Sequence, residues 1–401
     1  MAPSQSELAA TSLKTTSNTV CVLGVGYVGE HLVSTFQESF PVIGLDISPE
    51  RINLLKKIHA DYQHTTFTTN VSEISKAGLI LISVPTLVNI ETSKVDLSYV
   101  RAAVQSVTAH AKAGSTVVLE STVGVGHTRE LLAPLRDKGI FVGFSPERVD
   151  PGRIDPPNHK IPKVISGIDA ASLAAVRKFY SEVFETVIPV KSMETAEMVK
   201  LYENCFRMIN ITYINEIADA CESKNVDVWE VVQAASSKPF GFMPFYPSLG
   251  VGGHCIPVNP HYMFASGLDL PLLRTATEHS ANRPKNFASK LVSDLHEQGI
   301  SNARILVVGI AFKPGQDVIS HSPACDFAKA LQKEHGADVI GFDPLVKQKS
   351  VPWLPLMDFA DFTAEKLESD FDCIAVAMKQ VDVDFSLLEK IGTKVVYFTR
   401  V

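Results

Sequence analysis

Residues 20–29 read VCVLGVGYVG, a short apolar run followed at once by glycines at 24, 26 and 29. This order constrains the fold more than any other stretch. A strand that turns sharply into a helix through Gly-x-Gly-x-x-Gly brings backbone amides close to a pyrophosphate, and the positive end of the helix dipole faces the same anion. A second apolar segment, PVIGLD, ends at Asp46. A carboxylate there accepts hydrogen bonds from ribose hydroxyls and disfavours a 2′-phosphate, so NAD is preferred to NADP. The bland alternative is a glycine turn that only packs a helix tightly on a sheet. Arg51, five residues further on, is open between stacking on adenine, touching phosphate and simple surface solvation.

The alternation begun at residue 19 continues through LILISVP, TVVLEST, FVGFSPE and KVISG to about residue 190. Strands and helices in turn imply a parallel sheet with crossover helices. From Glu194 to about Lys224 there is neither Gly nor Pro, and apolar residues recur at three and four, which predicts one long, mostly buried helix. A second strand and helix alternation starts at ARILVVGIAF and runs through DFAKALQKEHG, DVIGFDP, FDCIAVAM and KVVYF. The expected fold is therefore α/β, with two Rossmann-like parallel-sheet domains joined by a central helical domain, and the two sheets could be distant echoes of each other. The 401 residues suit two to three domains at about 100–200 residues each. The expected boundaries are a disordered, Ser/Thr-rich tail over 1–18, a NAD-binding domain over 19–193, a helical domain over 194–299 and a second sheet domain over 300–401.

A net charge of -7 without a dense Lys/Arg stripe argues against nucleic acid or an anionic membrane as the main partner. No apolar run approaches the roughly 20 residues that cross a bilayer. Cysteines at 21, 205, 221, 255, 325 and 373 form no C-x-x-C pair, so no zinc or other metal site and no disulfide framework is indicated. Reduced thiols in a cytoplasmic setting are expected.

Cys255 stands out by context, in KPFGFMPFYPSLGVGGHCIPVNP, a loop crowded with Pro and Gly. Gly252 and Gly253 beside it permit a ligand to approach the backbone, and a nearby cation such as Lys200 would favour the thiolate that traps an aldehyde. A lone cysteine is more often an inert buried residue; the other five fall in strand or helix patterns and are assigned to packing. Glu197, Lys200, Asn204 and Arg207 share one helical face. By spacing alone that stripe reads as a solvated face with local ion pairs, and burial would change its meaning.

GVGYVG, the STV of 121–123, SPERVDPG at 145–152, IPKV at 161–164, TAEMVKLYEN at 195–204 and the cysteine loop at 238–260 together resemble the UDP-glucose/GDP-mannose dehydrogenase family, from about residue 19 to the C-terminus. GGHCIPVNP with KPFGFMPFYP is more similar to the branch acting on UDP-N-acetylglucosamine or UDP-N-acetylmannosamine. The resemblance implies a four-electron oxidation of the C6 alcohol of a UDP-sugar through a thiohemiacetal and a thioester on Cys255, consuming two NAD+. It implies that Lys200 and Asn204 steady oxygen anions, Glu147 is the base for thioester hydrolysis, and Thr122 orients water. It places the cofactor against Gly24, Val25, Gly26, Tyr27, Val28, Gly29, Asp46, Arg51, Pro85, Thr86, Ser121 and Thr122. The substrate would meet Glu147, Arg148, Lys200, Asn204, Arg207, Tyr246, Gly250, Gly252, Gly253, Phe312, Lys313 and Arg400. It further implies a UDP-binding sheet domain at the C-terminus and a homodimer or higher homo-oligomer formed through the middle helix.

Three stretches depart from the family pattern. Asn259 stands four residues after Cys255 where an Asp is usual, and an amide cannot take a proton. Ser320 replaces an Arg in GQDVISHSP, which removes a cation expected near the NAD phosphates. His279, Ser280 and Ala281 occupy the place of an Asn-Asp pair. These departures leave open a catalytically impaired UDP-sugar and NAD binder, or a two-electron alcohol dehydrogenase.

Overall fold

The computed structural model of the protein describes residues 17–90, 92–148 and 155–400; positions 1–16 of the expected tail and 149–152 of SPERVDPG lie outside them. Two compact units result, one of Met1–Tyr202 with His261–Leu268 and one of Glu203–Pro260 with Asp269–Val401.

The first unit is built on strands β1 (Val20–Leu23), β2 (Val42–Leu45), β3 (Thr65–Thr68), β4 (Leu79–Ile82), β7 (Thr116–Leu119), β8 (Phe141–Phe144), β9 (Lys163–Gly167) and β10 (Val187–Pro189), with a small antiparallel pair, β5 (Leu87–Asn89) and β6 (Lys94–Asp96), at one side. Their order is β10-β9-β8-β7-β4-β1-β2-β3. The strands β1, β4 and β7 are buried at every position because helices cover both faces of the sheet. Alternate residues divide between the two faces. Val20, Val22, Leu79 and Leu81 pack with helices α1 (Tyr27–Phe36), α2 (Pro49–Ile58) and α5 (Ala170–Tyr180), while Cys21, Leu23, Ile80 and Ile82 pack with α3 (Ser98–His110) and α4 (His127–Leu132).

Two strands at one edge, β9 and β10, depart from the expected all-parallel alternation. β9 pairs with β8 antiparallel, Gly143 opposite Gly167, and the described part of their connection holds only a short 3₁₀ turn at Asn158–Lys160. Parallel neighbours need a crossover, usually a helix, and an antiparallel pair does not.

The long helix α6 runs from Met193 to Glu222, as its period predicts, and the division between the units falls within it. The second unit continues with α7 (Val228–Ser236), the irregular cysteine loop, α8 (Asn259–Ala265, shared with the first unit) and α9 (Pro271–Glu297). Its sheet is all parallel, β12 (Asp338–Phe342), β11 (Arg304–Val308), β13 (Cys373–Val376) and β14 (Lys394–Tyr397) in that order, flanked by α10 (Pro323–Lys333) and α11 (Ala364–Asp370). The core is again two-sided. Ile305, Val307, Cys373 and Ala375 meet α9 and α10, and Leu306, Val308, Ile374 and Val376 meet Phe362, Leu367 and Phe371. Among the described residues no helix is long and apolar enough to cross a membrane.

Candidate active site

The glycine turn of the first unit is built as its spacing demands. Gly24 has φ +84° and donates its amide to Leu45 O at 2.8 Å, and a Cβ on it would lie 2.7 Å from Ser83 O. At Gly29 a Cβ would sit 1.9 Å from Gly24 O, so only glycine lets α1 start this close to β1. Gly26 differs: a side chain there would meet nothing within 4 Å, and no side chain caps α1. The first and third glycines are needed for packing, while the middle one leaves open space at the uncapped helix end. That combination fits a dinucleotide phosphate.

Asp46, half-buried at the end of β2, accepts from Val25 N with Oδ2 and from Ser48 N with Oδ1, each at 3.0 Å. Arg51 is half-buried beside the turn. Its guanidinium bonds Glu30 Oε2 at 2.6 Å and Val25 O at 2.7 Å, so it clamps the turn from outside. Arg51 and His59 together hold the Glu30 carboxyl below its ordinary value, against the opposing effect of burial, which is the largest single influence. The remaining cofactor candidates line the carboxyl ends of β4 and β7. Ser121 Oγ donates to Val84 O at 2.7 Å, Thr86 Oγ1 accepts from Tyr262 at 2.9 Å, Pro85 lies between Val84 and Thr86, and Thr122 is half-buried. These ends face the place where strand order reverses across β4 and β1, the crevice in which open α/β sheets take their ligands.

Glu147 follows β8. Its Oε1 accepts from Arg148 N at 2.7 Å, its Oε2 lies 3.7 Å from Lys163 Nζ, and its carbonyl accepts from the Lys200 ammonium. The polar stripe of α6 is not the solvated face that spacing favours. Glu197 and Asn204 are 1% exposed and Lys200 9%; Arg207 alone is exposed. Glu197 accepts from Gly126 N at 2.6 Å and Thr128 N at 2.9 Å, with burial raising its carboxyl above the ordinary range despite those donors.

In the second unit Arg207 donates to Asn204 Oδ1, Asn204 Nδ2 to Asn259 Oδ1 at 2.8 Å, and Asn259 Nδ2 to Cys255 O at 2.9 Å. Asn259 thus accepts from one side chain and donates to the backbone of the cysteine. An ionised Asp could do only the first. The glycines beside Cys255 have a packing reason that sequence reading missed: a Cβ on Gly252 would come 2.9 Å from Phe312 Cβ, and one on Gly253, at φ +94°, 2.7 Å from its ring. Ser320, the second departure, receives Gly253 N on its carbonyl at 3.0 Å. Gly250 packs near Pro323, Lys313 follows Phe312 half-buried, Tyr246 stacks on Trp229 with centroids 6.1 Å apart, and Arg400 is exposed.

The thiols divide sharply. Burial pushes Cys21, Cys205 and Cys373 up to about 12 and Cys325 up to about 11, which keeps them protonated; Cys221 is half-buried and Cys255 is exposed. Three residues near Glu147 escaped the sequence reading, namely Glu120, Lys163 and Tyr180, all buried. The signal was present in TVVLEST and IPKV, where a single charge adjoins or opens an otherwise apolar strand.

Three models of one family match in order along the chain. The NAD binding domain of the UDP-glucose/GDP-mannose dehydrogenase family matches 18–184, its central domain 194–281 and its UDP binding domain 306–400. A UDP-N-acetyl-D-mannosamine dehydrogenase of Methanococcus maripaludis is 30% identical over 405 residues, covering 95% of this chain and 92% of that protein. Protein CapL of Staphylococcus aureus is 32% identical over 345 residues, 80% of each chain. The solved UDP-D-ManNAc dehydrogenase of Pyrococcus horikoshii superposes with a TM-score of 0.83 at 27% identity, over 95% of each chain. This chain belongs to the UDP-glucose/GDP-mannose dehydrogenase family, as an NAD-dependent nucleotide-sugar dehydrogenase.

Proposed function

We propose that the chain oxidises the C6 alcohol of a UDP-N-acetylhexosamine, UDP-N-acetylmannosamine first among them, to the uronic acid, with two NAD+ and one water consumed and two NADH formed. One observation carries the reading: the exposed thiol of Cys255 lies in a Gly/Pro loop, in a chain whose other thiols are buried or half-buried. The names of the relatives support the mannosamine sugar.

Bound NAD+ supplies the hydride acceptor for both oxidations. Cys255 sulfur adds to the aldehyde carbon and forms a thiohemiacetal, which retains a reactive intermediate within the enzyme. Loss of the second hydride leaves a thioester. Water oriented by Thr122 and deprotonated by Glu147 attacks the thioester carbon; the C–S bond breaks, the acid departs and the thiol is restored. Lys200 and Asn204 steady the oxygen anion of each tetrahedral species. Arg148, Arg207, Lys313 and Arg400 offer positive charge to the diphosphate, and Phe312 and Tyr246 offer rings to sugar and base. Asn259 positions the Cys255 backbone and relays no proton.

The purified protein with NAD+ and a panel of UDP-sugars should give two NADH per acid. Cys255→Ser should release no acid and form one NADH at most; full turnover in that variant would sink the covalent role. The same reading puts the chain in the cytoplasm, where unpaired thiols persist. It also makes it a homo-oligomer, with exposed Tyr202 and Tyr213 of α6 against a second copy, which light scattering would test.

A further inference from the structure

Below Glu147 lies a buried polar cluster drawn from three elements. Glu120 follows β7, Lys163 opens β9 and Tyr180 ends α5; they are 1%, 4% and 0% exposed. Lys163 Nζ lies 2.7 Å from Glu120 Oε2, 3.1 Å from Pro146 O and 3.7 Å from Glu147 Oε2. The Tyr180 hydroxyl donates to the other oxygen of Glu120. Both Glu120 oxygens thus accept, the pattern of an ionised carboxylate, with the Lys163 ammonium opposing the burial that raises this carboxyl above its ordinary value. The ammonium also engages the backbone and the side chain of two consecutive residues, Pro146 and Glu147.

Stability alone accounts poorly for such a cluster. Taking an ion pair out of water costs several kcal/mol per ion, and well-packed apolar residues of the same volume commonly serve at least as well. A buried cation does what apolar residues cannot: it draws a neighbouring carboxylate to a fixed place by charge. We propose that Lys163, anchored by Glu120 and Tyr180, is the positioning residue that orients Glu147 as the base for thioester hydrolysis. This rests on the hydrolytic role assigned to Glu147 above.

One ammonium is shared between two carboxylates, so its two partners act on Glu147 with opposite sign. Lys163 attracts and Glu120 repels. Among the described residues, the other titratable groups around Glu147 are Tyr180, Arg148 beside it, Lys200 on its carbonyl, and His31 of α1 in the same narrow cleft. Burial lifts the Tyr180 phenol well above its ordinary value, so it stays a donor throughout the working pH range.

The test follows the NADH burst and the acid released after it, across pH, with the full-length protein, NAD+ and UDP-N-acetylmannosamine. Lys163→Met should keep the burst, slow acid release at neutral pH about tenfold, and move its acid limb up by about one unit, the usual effect of losing a close opposite charge. Lys163→Arg should restore the limb. Glu120→Gln, which keeps shape and cation, should move it down. Limbs that stay in place while rates fall evenly, or that shift the same way in both variants, would overturn the proposal. Should Lys163→Met fail to fold, Glu120→Gln decides alone, and an unmoved limb refutes. Glu147→Gln separates the two readings. If it stalls after the burst while the other limbs are unmoved, only the positioning role falls; if it releases acid at the ordinary rate, the hydrolytic role falls and takes the positioning role with it.

Discussion

β1 is followed by Gly24 and β11 by Gly309, and the two turns are built alike. Their φ values are +84° and +83°, and each amide donates to the second strand of its own sheet at 2.8 Å, to Leu45 O and to Phe342 O. An added Cβ would run into a backbone oxygen just past a neighbouring strand in both, Ser83 O after β4 at 2.7 Å and Met378 O after β13 at 2.0 Å. Each second strand is followed by an acid, Asp46 or Asp343. The difference lies in what those acids still have to offer. Asp46 is half-buried and accepts two backbone amides. Asp343, 6% exposed, accepts Ile310 N and Ala311 N at 3.0 Å, Leu345 N, Val346 N and the Gln380 amide. In the first sheet a helix starts three residues past the glycine; in the second, α10 starts at Pro323 and Ser322 Oγ ties back to Ile310 O at 2.6 Å. The same strand, glycine and acid arrangement makes an open cradle in one sheet and is filled by its own chain in the other.

Gly309→Ala should have the largest effect on stability, about 3 kcal/mol or more, because strained φ and a backbone collision add. Gly24→Ala should cost somewhat less. Unfolding of Gly309→Ala at the wild-type denaturant midpoint would break the equivalence of the turns. The acids should then separate. Asp343→Asn leaves buried amides unsatisfied and should cost about 2–3 kcal/mol, with NAD+ affinity unchanged. Asp46→Asn should do the reverse, weakening NAD+ about tenfold by calorimetry, from one charge-assisted bond lost, with little change in stability. Equal losses in both assays for both acids would erase the distinction. Asn259→Asp should remove the donor to Cys255 O, at about 1 kcal/mol by denaturation; a large rise in acid release would show that a carboxylate serves the loop better.

The smallest effect concerns pH and only the first unit. Burial raises Glu197 above its unfolded value, so its contribution is fully present below about pH 4.3 and is lost as pH rises through the raised value. The Glu197→Gln variant should lack that decline. Urea midpoints for the two proteins between pH 4 and 7 should therefore diverge upward in pH, with the wild type falling; parallel curves would exclude it.

Much of the fold was legible in local patterns. The period of 194–224 marked α6, and the apolar runs marked β1, β4, β7, β11 and β13. The strand β3, TTFT, and the small pair β5 and β6 were not, since their residues are mixed in polarity and Phe67 alone among them is buried. Of the candidate site, the glycine turn and the cysteine loop showed in the chain itself. The stripe of α6 showed only as a face, and Glu120, Lys163 and Tyr180 did not show as a group, being 43 and 60 residues from Glu120.

What the sequence by itself determined is whatever a few neighbouring residues can specify: two glycines forced to positive φ at strand ends, one uninterrupted helix, one thiol set among prolines and glycines. The tertiary structure decided that Glu197, Lys200 and Asn204 are buried, that β9 runs against β8, that Asp343 is consumed by its own backbone, and that one ammonium is shared by two carboxylates. Those outcomes depend on which distant segments exclude water from one another, and no local pattern of residues records that.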